Sequence, residues 1–290
     1  MGEHNVAAAH PWNPRVTALV PTYNGARFIR RTLDSLAAQT WTNLEILIGD
    51  DCSTDDTLEI VRRFASEHPD TRVLERDANL GWLRNSNELM TRATGELLFF
   101  AFHDDIVAPT YVETLVRALE GNERAVLAFS DMIVHELDGR TRLHVFDQLE
   151  GITDPVERGR VMIRRKGDWW VPNRGLFRAS AFAAVGGIHT NDEGEYSADW
   201  TWLLSLSLVG PFVRVHEVLC DKFYQSGSLS KQWPHDAAQL LALQRAGVSE
   251  IRHSALSPVQ KLVLAGPLWR RIYARRVPRP VKRVLRRLVR

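Results

Sequence analysis

Apolar residues alternate between two rhythms over the first 130 positions. Short continuous runs read as buried strands: Val16–Val20 (VTALV), Leu44–Ile48 (LEILI), Val73–Leu74, Leu97–Phe102 (LLFFAF) and Ala125–Phe129. Between them the apolar residues fall at helical spacing. Phe28, Ile29, Leu33, Leu36 and Ala37 mark a helix opened by Asn24 or Gly25. Leu58, Ile60, Val61 and Phe64 mark a second, with Ser53 and Asp56 spaced as a capping box. Leu83–Ala93 reads as a third, and Pro109 suits the first turn of a fourth that runs through Leu119. Pro21 is expected to stop the first strand and Gly49 the second. Strands alternating with helices predict an α/β fold with a mostly parallel sheet flanked by helices. After about Ser130 helices and aromatic-rich loops dominate, including Asp168-Trp169-Trp170 and Asp199-Trp200-Thr201-Trp202, and from Trp233 the chain reads as helical. These shifts divide it into a tail (1–14), a first half (15–130), a second half (131–232) and a helical extension (233–290).

Composition narrows the class. Of 290 residues, 44% are hydrophobic and 25% charged, which excludes a disordered or fibrous chain. The two cysteines, Cys52 and Cys220, are far apart, so neither a disulfide scaffold nor a cysteine zinc site is expected, and a reducing compartment is the natural setting. No apolar run reaches the ~18–20 residues of a membrane span. Residues 1–14 lack the basic and apolar blocks of a signal peptide.

Charge is unevenly spread. Eleven of the 37 Lys and Arg lie between Val259 and Arg290, where there is no Asp or Glu. The rest carries 26 basic against 35 acidic residues, a balance unlike that of a nucleic-acid binder. In the extension Val281, Val284, Leu285, Leu288 and Val289 share one helical face, and Lys282, Arg283, Arg286, Arg287 and Arg290 fill the other. Trp269, Ile272 and Tyr273 form a similar apolar face upstream. Residues 268–290 are therefore expected at an anionic membrane surface, with packing on the body or a subunit contact as the alternatives.

Ligands of open parallel sheets bind beyond the carboxyl ends of the strands. Pro21-Thr22-Tyr23-Asn24 follows the first strand, Asp50-Asp51-Cys52-Ser53-Thr54-Asp55-Asp56 the second, and His103-Asp104-Asp105 the long buried one. Carboxylates gathered at one edge repel each other unless a cation or a donor group sits among them. A hard ion, Mg²⁺ or Mn²⁺, is commonly shared between one or two carboxylates and substrate phosphates. No G-x-x-x-x-G-K-[ST] and no G-x-G-x-x-G follows the first strand, which argues against P-loop and dinucleotide sites. A diphosphate held through a metal remains the best fit.

The run VTALVPTYNGARFIRRTLDSLAAQTWTNLEILIGDDCSTDDT resembles the opening of family 2 glycosyltransferases. The likeness continues through Asn79-Leu80-Gly81, Arg84-Asn85, Gly95-Glu96, His103-Asp104-Asp105 and Pro109. It resumes at Gly175-Leu176-Phe177-Arg178, Val185-Gly186-Gly187, Ala198-Asp199-Trp200 and Gly227-Ser228-Leu229-Ser230, covering roughly residues 15–232. The resemblance implies a GT-A fold and transfer of a sugar, with inversion, from a UDP-, dTDP- or GDP-sugar to a polysaccharide or lipid-linked glycan at the cytoplasmic side of a membrane. It makes 15–130 the nucleotide-sugar half and 131–232 the acceptor half.

Residue by residue, it implies that Pro21, Thr22, Tyr23 and Asn24 line the nucleoside pocket, that Asp50 or Asp51 contacts the base, and that Arg84 meets the diphosphate. Asp105 is then the expected main ligand of Mg²⁺ or Mn²⁺, and Asp104 the ribose or second metal contact. Asp199 takes the place of the catalytic base, with Glu193 and Glu195 in reserve. Trp169, Trp170 and Trp200 are candidates to stack on the acceptor. The chain departs from the family pattern at Phe102, which stands at a usually acidic place, and at Ala198, where glutamate is common. It departs also at Gln225 and Ser226, where histidine is common, and at Cys52, where glycine is usual. A nucleotidylyltransferase would need a Gly- and Lys-rich first loop, which this sequence lacks. A scaffold that keeps the fold without turnover stays as an alternative.

Overall fold

The computed structural model describes residues 12–224 and 233–276. Residues 1–11, 225–232 and 277–290 lie outside the described residues, and with them Gln225, Ser226, Gly227–Ser230 and the last part of the basic tail.

The apolar runs form the parallel strands they predict: β1 (Val16–Thr22), β2 (Leu44–Asp50), β3 (Thr71–Glu75) and β4 (Leu97–Phe100). Their crossovers are α1 (Ile29–Ala37), α2 (Thr57–Glu67) and α3 (Trp82–Arg92). β1 and β4 are buried along their whole length, and this is why they read as unbroken apolar runs. The second half adds β5 (Asp105–Val107), β6 (Leu127–His135), β7 (Thr141–His144), β8 (Leu176–Arg178) and β9 (Phe212–Phe223). The sheet order is β3-β2-β1-β4-β8-β6-β9-β5, with β7 on β6. The added pairings are antiparallel, except that β9 runs parallel to β6 with irregular register near Asp131. Helices α4 (Tyr111–Glu120), α5 (Pro155–Arg164), α6 (Ala179–Val185), α7 (Ala198–Val209), α8 (Ala237–His253) and α9 (Pro258–Arg276) complete the described fold.

Several boundaries differ from expectation. Pro21 does not stop β1, which continues to Thr22 in register with Asp50. Pairing with β4 ends at Leu19–Phe100, so Pro21 has a strand partner on one side only, where a missing N–H is tolerated. α1 begins at Ile29 rather than at Asn24 or Gly25: Asn24 is left-handed (φ 49°), and residues 25–28 form a turn in which Gly25 O accepts the Phe28 N–H at 2.8 Å and the Ile29 N–H at 2.9 Å. Ser53 and Asp56 form no capping box. α2 begins at Thr57, where the Asp55 carboxylate accepts the Thr57 N–H at 3.0 Å and the Ala26 N–H at 3.1 Å. Leu97–Phe102 splits into β4 and a turn leading to β5. β9 lies where the sequence suggested helices and loops.

From Ala198 to Leu208 every residue of α7 except the half-buried Asp199 is buried. Such a helix has no solvent face and sits inside the core. Glu45, at the start of β2, is a buried charge with full occupation: it accepts from Thr17 Oγ1 (2.7 Å), Thr94 Oγ1 (2.8 Å), the Thr94 N–H (3.0 Å) and Arg72 (2.7 Å). Desolvation alone would raise its pKa. The hydrogen bonds from Thr17, Thr94 and Arg72 outweigh that and hold it below the ordinary carboxylate range. This clasp ties β1, β2, β3 and the loop before β4 together at the end of the sheet remote from the strands' carboxyl ends.

Candidate active site

β1, β2 and β3 end level with one another, since Thr22 pairs with Asp50 and Asp50 with Glu75. Their terminal side chains therefore share one edge. Thr22 is buried, its Oγ1 3.2 Å from His103 Nδ1. Tyr23 is 44% exposed. The Asn24 backbone N–H donates to Ser53 Oγ (3.0 Å), and its side-chain oxygen accepts the Thr54 N–H (2.8 Å), so Asn24 joins the loops after β1 and β2.

The two neighbouring aspartates have different work. Asp51 accepts the N–H of Leu80 at 2.7 Å on one oxygen and that of Gly81 at 2.9 Å on the other. It holds the turn that leads into α3. Asp50 accepts the Ser53 N–H at 3.0 Å through Oδ2, while its buried Oδ1 has no partner. A buried acceptor without a donor costs ~1–3 kcal/mol, a cost that a donated N–H would remove. Arg76, just after β3, donates its backbone N–H to Asp50 O (3.1 Å) and its Nη1 to Glu88 (2.8 Å). Its Nε and Nη2 are buried and unpartnered. The sequence reading did not single out Arg76; its position right after a strand end was the available signal.

The acids after β4 are also divided. Asp105 is buried (2% side-chain exposure) and accepts Arg174 Nε at 2.9 Å. Lys222 Nζ, opposite it on β9, lies 4.0 Å from the other oxygen. Arg174 thus engages one oxygen of Asp105, while the other, Oδ1, is buried and has no hydrogen-bond partner among the described residues. Asp104 is half-buried, and its carboxylate makes no hydrogen bond or ion pair with the described residues. His103 has its pKa lowered by desolvation, with Asp104 and Asp105 pulling the other way. It is therefore a neutral ring at neutral pH.

Arg174 is the main residue that sequence reasoning missed. It ends a 3-10 turn (Val171–Arg174). Its guanidinium sits 4.7 Å from the centre of Phe102 and 5.8 Å from that of Trp170, and its carbonyl accepts the Tyr111 hydroxyl. Phe102, the departure from the acidic pattern, thus supplies a ring face to this cation. The acids had called for a cation or donor among them, and Arg174 and Lys222 partly meet that need. Arg174 interacts electrostatically with Asp105 and Asp104, and Asp199 in turn feels the charge of Arg174.

Asp199 stands in the first turn of α7. Desolvation raises its pKa, opposed in part by Arg174 and by the Trp200 N–H, which donates to its Oδ1 at 3.0 Å. Glu195 accepts the Leu83 N–H (3.2 Å) at the start of α3, so it braces that helix, and Glu193 is exposed. Arg84 is exposed on α3 and forms no ion pair among the described residues. The three tryptophans separate. Trp170 is half-buried beside Arg174 and 5.1 Å from His144. Trp169 is half-buried against the core. Trp200 must be corrected: it is 1% exposed, donates Nε1 to Met162 O (2.8 Å), and offers no face to an acceptor.

Among the described residues, no three His, Cys, Asp or Glu are placed to hold a metal by themselves. The free Asp104 carboxylate nevertheless fits an ion that takes most of its ligands from substrate phosphates and water.

The profile described as "Glycosyl transferase family 2" matches residues 17–179. The "uncharacterized glycosyltransferase YibD" of Escherichia coli K12 is 39% identical over 102 residues, covering 35% of this chain and 29% of YibD. The chain spans about half or less of the length of the first curated relatives it matches. Staphylococcus aureus TarS in complex with UDP-GlcNAc superposes with a TM-score of 0.70 at 18% identity, covering 90% of this chain and 73% of that one. The mannosyltransferase PcManGT of Pyrobaculum calidifontis, in complex with GDP-Man and Mn²⁺, gives 0.56 at 17% identity, with 96% and 80% covered. Glycosyltransferases thus share the fold, and the profile match over more than half of the sequence shows that this chain belongs to glycosyl transferase family 2.

Proposed function

We propose that this chain is an inverting, metal-dependent glycosyltransferase that moves a sugar from a UDP-, dTDP- or GDP-sugar to a polysaccharide or lipid-linked glycan. One observation carries the reading. Arg174 pairs with Asp105 at 2.9 Å beside Asp104 at the end of β4, and its charge opposes the raised pKa of Asp199 at the head of α7, so acids about 95 residues apart in sequence come under the influence of one cation. TarS binds UDP-GlcNAc and PcManGT binds GDP-Man with Mn²⁺, which supports a nucleotide-sugar donor and a divalent ion here.

In this reading Asp50 accepts an N–H of the nucleobase through its orphaned Oδ1. Thr22 and Tyr23 border the nucleoside, and Arg84 reaches the diphosphate. Asp104 and the unpartnered Oδ1 of Asp105 would hold the ion. When bound, Mg²⁺ or Mn²⁺ offsets the charge that builds on the departing diphosphate. Arg174 adds fixed positive charge near the same group and keeps Asp105 folded beneath it. Asp199 takes the proton of the acceptor hydroxyl as that oxygen attacks the anomeric carbon opposite the diphosphate. Its raised pKa suits a base, since a more basic carboxylate removes the proton more readily. Trp170 and Trp169 border the acceptor.

The test is a panel of nucleotide sugars with Mg²⁺ or Mn²⁺, scored for thermal stabilisation and for release of nucleoside diphosphate. Stabilisation by one nucleotide class together with metal-dependent release supports the proposal. Neither effect with any nucleotide defeats it.

A further inference from the structure

α9 buries one face and leaves another bare. Leu264, Leu268 and Ile272 are buried, whereas Val259, Leu262, Val263, Trp269 and Tyr273 are 42–74% exposed. At 3.6 residues per turn the exposed set falls in one stripe, about 20 Å long at 1.5 Å per residue. Trp269 and Tyr273 stack within it, ring centres 5.8 Å apart. Scattered exposed apolar residues need no explanation, but a contiguous helical stripe does.

Beside the stripe lies a cavity of about 300 Å³ between α5 and α9, lined by Arg160, Ile163, Arg164, Pro267 and Arg271. Arg271 donates to Ile163 O (3.2 Å), and Arg160 pairs with Glu157. Arg164 is exposed and has no partner among the described residues. Arg270 stands on the stripe itself. The chain outside 259–290 is net acidic, so this basic and apolar face contrasts with the rest of the molecule.

We propose that the outer face of α9, with the apolar cleft beside it and the exposed Arg164 and Arg270 near that cleft, docks on an anionic phospholipid surface. The stripe inserts at the headgroup level and the arginines meet lipid phosphates. No described helix is long and apolar enough to cross a membrane, so the contact is peripheral. Apolar area with aromatic rings on one side and cations next to it is the combination an anionic interface rewards. The inference goes beyond the transfer reaction and needs none of its residues.

The full chain is sedimented, without nucleotide sugar, with vesicles of phosphatidylcholine alone or mixed one-to-one with phosphatidylglycerol. Binding to the mixed vesicles, weakened by salt, is expected. Leu262→Asp and Arg164→Glu, made separately with residues 277–290 intact, should each lower partitioning about fivefold or more, given the ~1 kcal/mol that one basic residue contributes near such a surface. Both positions are exposed, so the melting temperature should stay within a few degrees of the parent. Absent binding, equal binding to both vesicle types, or unchanged binding by both variants overturns the proposal. So does a concentration-dependent dimer that Leu262→Asp dissociates, which would give the stripe to a second copy of the chain.

Discussion

Replacing Arg174 by alanine isolates the centre of the site. The change leaves Asp105, 2% exposed, without its 2.9 Å partner. Breaking a buried ion pair from one side costs ~3–5 kcal/mol, because the remaining charge is uncompensated. Lys222 at 4.0 Å from the other oxygen can take over part of the pairing, which places the expectation near the lower bound. Loss of the Phe102 contact at 4.7 Å adds ~0.5–1 kcal/mol. The sum is about 3–4 kcal/mol, or roughly 6–16 °C in melting temperature at ~2–4 °C per kcal/mol for a large domain. The assay is urea unfolding of wild type, Arg174→Ala, Asp105→Asn and the double variant. The double variant removes both charges, so it should be less destabilised than the two singles predict, by ~2 kcal/mol or more. A single-variant cost below ~1 kcal/mol, or additive costs, would refute the inference that this pair anchors the site.

Asp199→Asn should lower turnover by ~10²–10⁴ while leaving the fold intact. In the wild type the acidic limb of the kcat/KM profile should lie above the ordinary aspartate range, because the base works only once deprotonated and its pKa is raised; a limb at or below that range counts against this role. Trp200→Ala should cost ~3–5 kcal/mol as a core truncation, whereas Trp170→Ala should raise the acceptor KM and leave the donor KM unchanged, as steady-state kinetics would report. Glu45→Gln should destabilise by ~1–3 kcal/mol, since the Thr17, Thr94 and Arg72 donors lose a charged acceptor. Because the folded pKa of Glu45 is lowered, its contribution is complete above the unfolded value of about 4.3 and vanishes as pH falls through the folded one. Acid unfolding should therefore flatten in this variant. Cys52 holds φ 63°, a left-handed conformation. Cys52→Gly should leave stability unchanged or raise it by up to ~1 kcal/mol, the relief of strain offset by the entropy of glycine. Thermal unfolding reads that difference.

The alternation of β1–β4 with α1–α3 was legible in the sequence. Strands covered on both faces must be apolar throughout, and helices on their flanks must be apolar on one side. The acids at the strand ends were legible by type, and the glycine habit at Cys52 has its reason in a positive φ. β9 was not legible, because only Phe212, Leu219 and Cys220 of its twelve residues are buried and no regular period shows. Occupation was invisible too. That Asp51 is taken by Leu80 and Gly81, Asp105 by Arg174, and Trp200 by Met162 depends on neighbours 29 to 69 residues away. A local pattern states which way a side chain must face. Which atom meets it there is settled only when distant segments pack, and a carboxylate already holding a partner differs chemically from the same carboxylate left free.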